Sequence, residues 1–480
     1  MAMIPTRPTH QQPEITGGHP AIFTICSRNY LPQAKVLIDS VRRVMPEYPV
    51  SVFLADEAGD ELTVLSSFAG APVIPGADLG IPTYHDMAMR YDIVEFNTAL
   101  KPFAFSWLFG RGAPAAIYLD PDIQLFAPLS EVCARLDAGA SAVITPHITK
   151  PLPPGCDPTD IKLIRTGIYN LGFAAVANTP EARRFVDWWA SKMPTDCRRA
   201  LDAGLFVDQK YVDLMPAFLP GTSILRHDGY NVAYWNLAHR PLARDREDGW
   251  RAADDPLVFM HFSGIRPDDP ALVSVHQDRA LAADPGEGAA LFDAYRRAVK
   301  SARQELEATG ADLSYAYGRF ITGEEITAPI RQVYARAMPP SRAGREEIFD
   351  PGHGAYLRGV TGVSHGAANL ISPVMADLWM RKPHLQAAFN IREQAEAEAY
   401  ALWFAETGHR EWNISRAFIP ASVWELRKER RSLRARLAVL TFRGIELTKK
   451  TAFLYPKPVR RAAVRATRRY MPRLARRMKA

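Results

Sequence analysis

Ala115-Ala116-Ile117-Tyr118-Leu119-Asp120-Pro121-Asp122 decides the reading of this chain. Five apolar residues, preceded by Gly112 and Pro114, form a short run of the kind found in buried strands. Two carboxylates follow it, two residues apart. Side chains alternate faces along a strand, so this spacing predicts that Asp120 and Asp122 aim at one point just past a strand's carboxyl end. In open α/β sheets that is where ligands bind. Two carboxylates converging there need a cation, or one of them must keep its proton. Hard oxygen ligands suit Mg²⁺ or Mn²⁺, which usually also take substrate phosphates. The pair therefore points to a diphosphate handled through a metal.

The flanking sequence supplies a sheet. Ala21-Ile22-Phe23-Thr24-Ile25-Cys26 is a β-rich run, Gln33 to Val44 carries helical periodicity, and Val50 to Ala55 is a second run ending at Asp56. Strand, helix and strand in that order imply a parallel sheet with right-handed crossovers. Further helices are expected over Lys101–Phe109 and after Pro128, and strands over Ser141–Thr145, Tyr169–Ala177 and Leu257–Phe262. The sheet-bearing domain is expected over 21–286. From 287 to 420 strand signals give way to helical ones, with Trp379, Trp403 and Trp412 as core aromatics. The fold class is α/β, a mixed and mostly parallel sheet flanked by helices, with a C-terminal all-helical region.

With 480 residues the chain is too long for one core. Its four cysteines (Cys26, Cys133, Cys156, Cys197) are widely spaced, which argues against a disulfide framework or a zinc knuckle and fits a reducing compartment. Residues 1–20 hold four prolines and no apolar core segment, and are expected to be a disordered lead rather than a secretory signal. No apolar run is long enough for a spanning helix. The net charge of +7 hides an asymmetry: residues 421–480 carry 19 Lys/Arg against three acids, a balance of +16, which leaves −9 for the rest. In that tail Trp424, Leu426, Leu433, Leu437, Leu440 and Phe442 interleave with Arg427, Arg430, Arg431, Arg434 and Arg436. Such a basic amphipathic segment lies on an anionic membrane, with each basic residue contributing on the order of 1 kcal/mol near the surface. The expectation is a protein on the cytoplasmic face of the plasma membrane. No module for nucleic-acid recognition appears.

Other motifs bear on the metal reading. His261, in Met260-His261-Phe262-Ser263-Gly264, closes an apolar run, and imidazole at a strand end can complete a carboxylate site. Asp208 and Gln209 open a short helical segment, either as its cap or facing a cleft. Asn170 and Gly172 interrupt an apolar strand, at a local cost that a bulge or a close approach would explain.

Together these motifs resemble a GT-A-fold glycosyltransferase, of the retaining family 8 type that includes glycogenin-like and lipopolysaccharide glycosyltransferases. Four segments match in order over roughly 20–270: Cys26-Ser27-Arg28-Asn29-Tyr30, Tyr-Leu-Asp-x-Asp at 118–122, Asn170-x-Gly172 with Asp208-Gln209, and His-Phe-x-Gly at 261–264. The resemblance implies that Asp120, Asp122 and His261 hold Mn²⁺ or Mg²⁺, with Asp120 also near the ribose. It places Thr24, Cys26, Asn29, Tyr30 and Asp56 at the nucleoside, and Lys101 near the donor phosphates. Asn170, Gly172, Asp208 and Gln209 would line the transferred sugar and the reacting face. The motif glycine, Gly264, would let the diphosphate approach. Related enzymes carry a Lys three residues later; here position 267 is Pro and Arg266 precedes it. The implied partners are a nucleotide-sugar donor and a glycan or lipid-linked acceptor in cell-envelope synthesis. A metal-dependent nucleotidyltransferase is the rival enzyme, although Ser27-Arg28-Asn29-Tyr30-Leu31-Pro32 has none of the glycines its phosphate loop needs. A membrane-tethered scaffold without catalysis is the third alternative.

Overall fold

The computed structural model describes residues 18–56, 70–244, 249–269, 273–276, 286–350 and 370–429. The lead, save its last three residues, and the tail beyond 429 lie outside the described residues.

The chain forms two compact units, one of residues 1–87 and 93–316, the other of residues 88–92 and 317–480. The first holds a seven-stranded sheet. β1 (Ala21–Cys26) leads through α1 (Leu31–Val44) to β2 (Val50–Leu54) and β3 (Val73–Pro75). α2 (Lys101–Phe109) then precedes β4 (Ala115–Leu119), and β5 (Ile123–Leu125) follows at once. α3 (Ser130–Asp137), β6 (Ala142–Pro146), α4 (Asp160–Thr166) and β7 (Tyr169–Ala177) come next, then α5 (Pro180–Asp196), α6 (Gln209–Val212), β8 (Thr222–Ile224), β9 (Phe259–His261) and α7 (Ala289–Ala308).

The strand order is β8-β6-β7-β4-β1-β2-β3. β1 pairs in parallel with β2 on one side and β4 on the other, and β2 pairs in parallel with β3. The chain thus leaves β1 in one direction and returns to its opposite flank. The carboxyl ends of β1 and β4 bound the resulting switch point, where a crevice opens in sheets of this kind. β7 alone runs antiparallel, between β4 and β6. Its first residues therefore meet the carboxyl end of β4, and the Asp120 N–H donates to the Gly172 carbonyl at 2.7 Å.

Both faces of the sheet are dry. On one, Ile22, Ile117 and Val52 pack under Ala34, Leu37, Ile38 and Val41 of α1, at helical spacing. On the other, Phe23 contacts Phe53, Phe105 and Tyr118 edge-on or tilted, with ring centroids 4.9–5.7 Å apart.

The sequence places the domain boundary at 286/287, whereas the first unit runs to Ala316. The reason is α7, whose Leu291, Phe292, Tyr295, Val299 and Ala302 join a core with Val36 of α1 and with Met260 and Phe262. The second unit is helical. Buried Arg331 holds its 88–92 segment by donating to the carbonyls of Ala88 (2.6 Å), Met89 (3.2 Å) and Tyr317 (2.5 Å). Trp403 lies in its core beside Tyr400 and Phe389. Trp379 and Trp412 are half-buried, and Lys382 sits over the Trp412 ring at 4.4 Å.

Candidate metal and donor site

Asp120 and Asp122 converge, but not through strand alternation. β4 ends at Leu119, and residues 120–123 form a turn closed by the Ile123 N–H on the Asp120 carbonyl at 3.0 Å. Pro121 occupies the second position of that turn, where its fixed φ suits the geometry and its missing N–H costs nothing. β5 then pairs antiparallel with β9, aligning His261 with Ile123, and the Phe262 N–H donates to the Asp122 carbonyl at 2.9 Å. A turn and a two-stranded ribbon thus bring together residues that stand 139 positions apart.

One ligand atom from each of Asp120, Asp122 and His261 lies within 4.8 Å of the others, the only such cluster among the described residues. His261 Nε2 is 3.0 Å from Asp122 Oδ1 and 3.6 Å from Asp120 Oδ2. Asp120 Oδ1 accepts from the Tyr118 hydroxyl at 2.5 Å.

The imidazole's state follows from its far side. The Asn170 amide oxygen accepts from the Gly172 N–H at 3.1 Å and stands 3.2 Å from His261 Nδ1. Nδ1 must therefore carry the hydrogen. The Asn170 amide nitrogen faces His147 Nε2 at 3.3 Å, and His147 Nδ1 faces the Ile168 carbonyl at 3.3 Å. The chain of donors is consistent throughout and turns the Nε2 edge of His261 toward the carboxylates. Orientation of a ligating histidine through its second nitrogen is the usual support for a metal site. His147 is held neutral, its pKa pushed down to about 4 by burial. Burial also disfavours charge on His261, but Asp122 and Asp120 outweigh it and raise its pKa. A donor set of two carboxylate oxygens and one imidazole nitrogen can hold a divalent cation.

Gly172 explains the interruption of β7. A Cβ there would lie 2.3 Å from His261 Cε1 and 2.8 Å from the Asn170 amide oxygen. Pairing with β6 is irregular at the same place, jumping from Ile144–Ala174 to Pro146–Tyr169. The glycine admits the imidazole.

Beneath the acids lies Lys101, almost wholly buried. Its ammonium donates to the Leu171 carbonyl at 2.9 Å, pairs with Asp208 at 3.2 Å and stands 3.9 Å from Asp120. Burial works against that charge, but the two carboxylates outweigh it and raise the Lys101 pKa. Burial pushes Asp208 up to about 6 against the pull of Lys101. Val207, just before Asp208, has φ 45°, a strained value for a β-branched residue. Asp208 does not cap α6 with its side chain. Gln209 is fixed at both ends of its amide, donating to the Thr166 carbonyl at 2.9 Å and accepting from the Leu171 N–H at 3.2 Å. Gly167, at φ 137°, leaves room for it: a Cβ there would meet Gln209 Cγ at 2.7 Å.

The residues expected around the nucleoside are dispersed. Tyr30 is near the cluster, its hydroxyl pushed up to about 12 by burial and by the Asp122 and Asp120 charges. Asn29 Oδ1 and Thr24 Oγ1 are buried and accept no hydrogen bond. Cys26 packs in the core under α1, and burial first, then Asp56, raises its thiol pKa. Asp56 accepts from the backbone N–H groups of Arg28 (2.9 Å) and Ala316 (3.0 Å), one on each oxygen. Arg266 is exposed. Gly264 has φ 71°, and a Cβ on it would meet His276 and Ser274 at 2.6 Å.

Sequence reasoning missed His147, Trp235 and His276. Trp235 contacts the rings of His261 (5.2 Å) and His147 (5.3 Å) edge-on. His147 carries the signal that flagged His261, an imidazole just past a buried strand. Trp235 and His276 lie on loops and carry no such mark.

No protein-family model matches the chain. Two uncharacterized proteins of Bacillus subtilis (strain 168) are similar to it. YfnF is 24% identical over 273 residues, covering 54% of this chain and 85% of its own length. YfnD is 24% identical over 247 residues, covering 50% and 76%. Among solved structures, the galactosyltransferase LgtC, in complex with donor and acceptor sugar analogs, aligns with TM-score 0.38 and 14% identity over 60% of this chain and 99% of its own. The glycosyltransferase GlyE of Streptococcus pneumoniae aligns with TM-score 0.34 and 13% identity over 63% and 67%.

Proposed function

We propose that this chain is a metal-dependent glycosyltransferase that moves a sugar from a nucleoside-diphosphate donor, a UDP-sugar by resemblance, to an acceptor hydroxyl in cell-envelope glycan synthesis. The observation that carries the reading is the cluster of Asp120, Asp122 and His261 at the switch point of the sheet, with the His261 tautomer set by Asn170 so that Nε2 faces the acids. Asp120, Asp122 and His261 would hold Mn²⁺ or Mg²⁺, and such an ion when bound neutralises charge developing on a departing diphosphate.

The chain's own residues do the rest. Tyr118 donates to Asp120, and Lys101 balances Asp120 and Asp208, so the acids keep their geometry without mutual repulsion opening it. Gln209 and Asp208 lie beside the opening of β7, on the side where the resemblance places the transferred sugar. There the Gln209 amide, already oriented by two backbone bonds, would face the sugar carbon as it gains oxocarbenium character. Retention of configuration at that carbon belongs to the same proposal.

The test is a screen of nucleoside diphosphates for Mn²⁺-dependent thermal stabilisation. A ligand at a hundredfold excess over its Kd adds about 2.7 kcal/mol. The same nucleotide should give no shift with chelator present. If no nucleoside diphosphate stabilises the protein in an Mn²⁺-dependent way, the proposal fails.

The basic tail motivates a second, separate proposal, that residues beyond 429 attach the enzyme to anionic lipid as a peripheral membrane protein. Cutting after Glu429 spares the helix Ala421–Glu429, whose Val423 is buried. The truncated protein should lose flotation with anionic liposomes; equal flotation would refute the attachment.

A further inference from the structure

His147 stands behind the metal cluster, one residue past β6 and buried. We propose that it is a positioning residue for the cluster: acting through Asn170, it holds the His261 imidazole with its Nε2 edge toward Asp120 and Asp122. For its effect on cation binding this rests on the metal reading above, and it adds a residue that no motif assigns.

Three observations carry it. First, the His147 ring has nothing left to offer a substrate. Its Nε2 stands 3.3 Å from the Asn170 amide nitrogen, and its Nδ1 stands 3.3 Å from the Ile168 carbonyl. An amide nitrogen only donates, so Nε2 accepts and Nδ1 carries the hydrogen. Burial pushes the His147 pKa down to about 4, which keeps that accepting nitrogen free of a proton at neutral pH. Both nitrogens are committed, and the ring is neither acid nor base for the reaction.

Second, the contact leads to a metal ligand. Among the described residues the Asn170 side chain meets three groups: the His147 ring, the Gly172 N–H at 3.1 Å and His261 Nδ1 at 3.2 Å. The Gly172 N–H fixes where the amide oxygen points, and His147 takes the other end. A buried amide nitrogen without an acceptor is costly. Losing the His147 acceptor would therefore let the carboxamide turn toward another partner, and His261 would lose the fixed acceptor for its Nδ1 hydrogen.

Third, His147 is itself held as a support must be. Its backbone N–H donates to the Ile168 carbonyl at 3.0 Å, and its carbonyl accepts from the Asn236 side chain at 3.1 Å. The Asn236 amide is fixed in turn, donating to the Asn231 carbonyl and accepting from the Ala233 N–H, both at 2.9 Å. Trp235, on the same loop, sets its ring edge-on against both imidazoles, 5.3 Å from His147 and 5.2 Å from His261. Packing thus fixes how far apart the two rings lie, and the Asn170 carboxamide spans the distance.

The test is calorimetric titration of the full chain with Mn²⁺ alone. His147→Phe keeps a ring against Trp235 but removes the acceptor, and should weaken Mn²⁺ binding by about 10- to 100-fold, the scale for groups that orient a metal ligand. His147→Gln returns an acceptor oxygen near the place of Nε2 and should recover most of that loss. The Asn170→Ala/His147→Phe double variant should bind no more weakly than Asn170→Ala, because the two side chains act on one ligand in series. Without metal, solvent exchange of the His261 Nδ1 hydrogen, followed by NMR, should be faster in His147→Phe and unchanged in His147→Gln. In the wild type, the ¹⁵N shifts of His147 should show a hydrogen on Nδ1 and none on Nε2. The reverse pattern overturns the inference without any variant. So does an Mn²⁺ affinity unchanged in His147→Phe, an equal loss in both single variants, or additive losses in the double variant. A wild type that binds no Mn²⁺ overturns the metal reading instead; the exchange measurement then decides the positioning role alone, unchanged exchange in His147→Phe refuting it and faster exchange upholding it.

Discussion

Asp56 and Asp120 occupy matching places, each just past the carboxyl end of a strand that flanks β1 in parallel, yet they serve opposite ends. Both oxygens of Asp56 are taken by backbone N–H groups, from Arg28 and from Ala316. It ties the loop after β1 to the segment that closes the first unit. Asp120 gives one oxygen to Tyr118 and turns the other towards His261. Position at a strand end admits a carboxylate to the crevice; what it faces there, backbone N–H donors or a second acid and an imidazole, sets the two apart.

The contrast breaks most visibly at Asp122. Asp122→Asn should lower Mn²⁺-dependent donor turnover by about a hundred- to a thousandfold, the scale seen when one preorganised electrostatic group is removed, with the far-UV circular dichroism unchanged. Turnover within a few fold of wild type would show that this acid is as structural as Asp56.

Asp56 itself supplies the next test, through stability. Burial raises its pKa from 3.8 to about 6, against the backbone N–H bonds and Arg28, which lower it. The folded state therefore binds a proton more readily than the unfolded chain, and stability falls as pH rises from about 4 to about 6. The shift corresponds to about 3 kcal/mol at about 1.4 kcal/mol per unit. Asp56→Asn removes that dependence. In chemical denaturation the wild type's advantage over the variant should be widest near pH 4 and should narrow toward pH 7; a gap that grows with pH would contradict the burial argument.

Gly172→Ala should give the smallest effect. The new methyl would press on His261 and on the Asn170 amide rather than on a ligand. Support residues around a metal ligand typically contribute 10- to 100-fold in affinity, and calorimetric Mn²⁺ titration should show a loss of that size. An unchanged Mn²⁺ affinity would mean that His261 is not held in place through this contact.

Much of this was legible in the sequence because it is local. β1 and β7 announce themselves as apolar runs, and the structure places them over the same residues. The grouping of Asp120, Asp122 and His261 was legible for a coarser reason, that polar groups ending buried strands gather at one edge of a sheet. How they gather was not. The turn at Pro121 and the β5–β9 ribbon are products of pairing across more than a hundred residues, and strand alternation was the wrong cause. The settings of Asp56 and Cys26 were not legible for a related reason. Their surroundings are made by Arg28, Ala316 and α1, and nothing next to them in the chain reveals that one is spent on backbone N–H groups and the other is packed in the core.

The groups behind His261 also have a direction. His261 donates from Nδ1 to Asn170, Asn170 to His147, and His147 to the Ile168 carbonyl, so this run of hydrogens leads away from the acids. A carboxamide has one accepting end and one donating end, so the Asn170 side chain can satisfy both imidazoles in a single orientation. Turning it over would require both rings to exchange tautomers together. The Asn170 orientation thus places a hydrogen on Nδ1 of both rings at once, and the ¹⁵N chemical shifts of the two Nδ1 atoms should report it together.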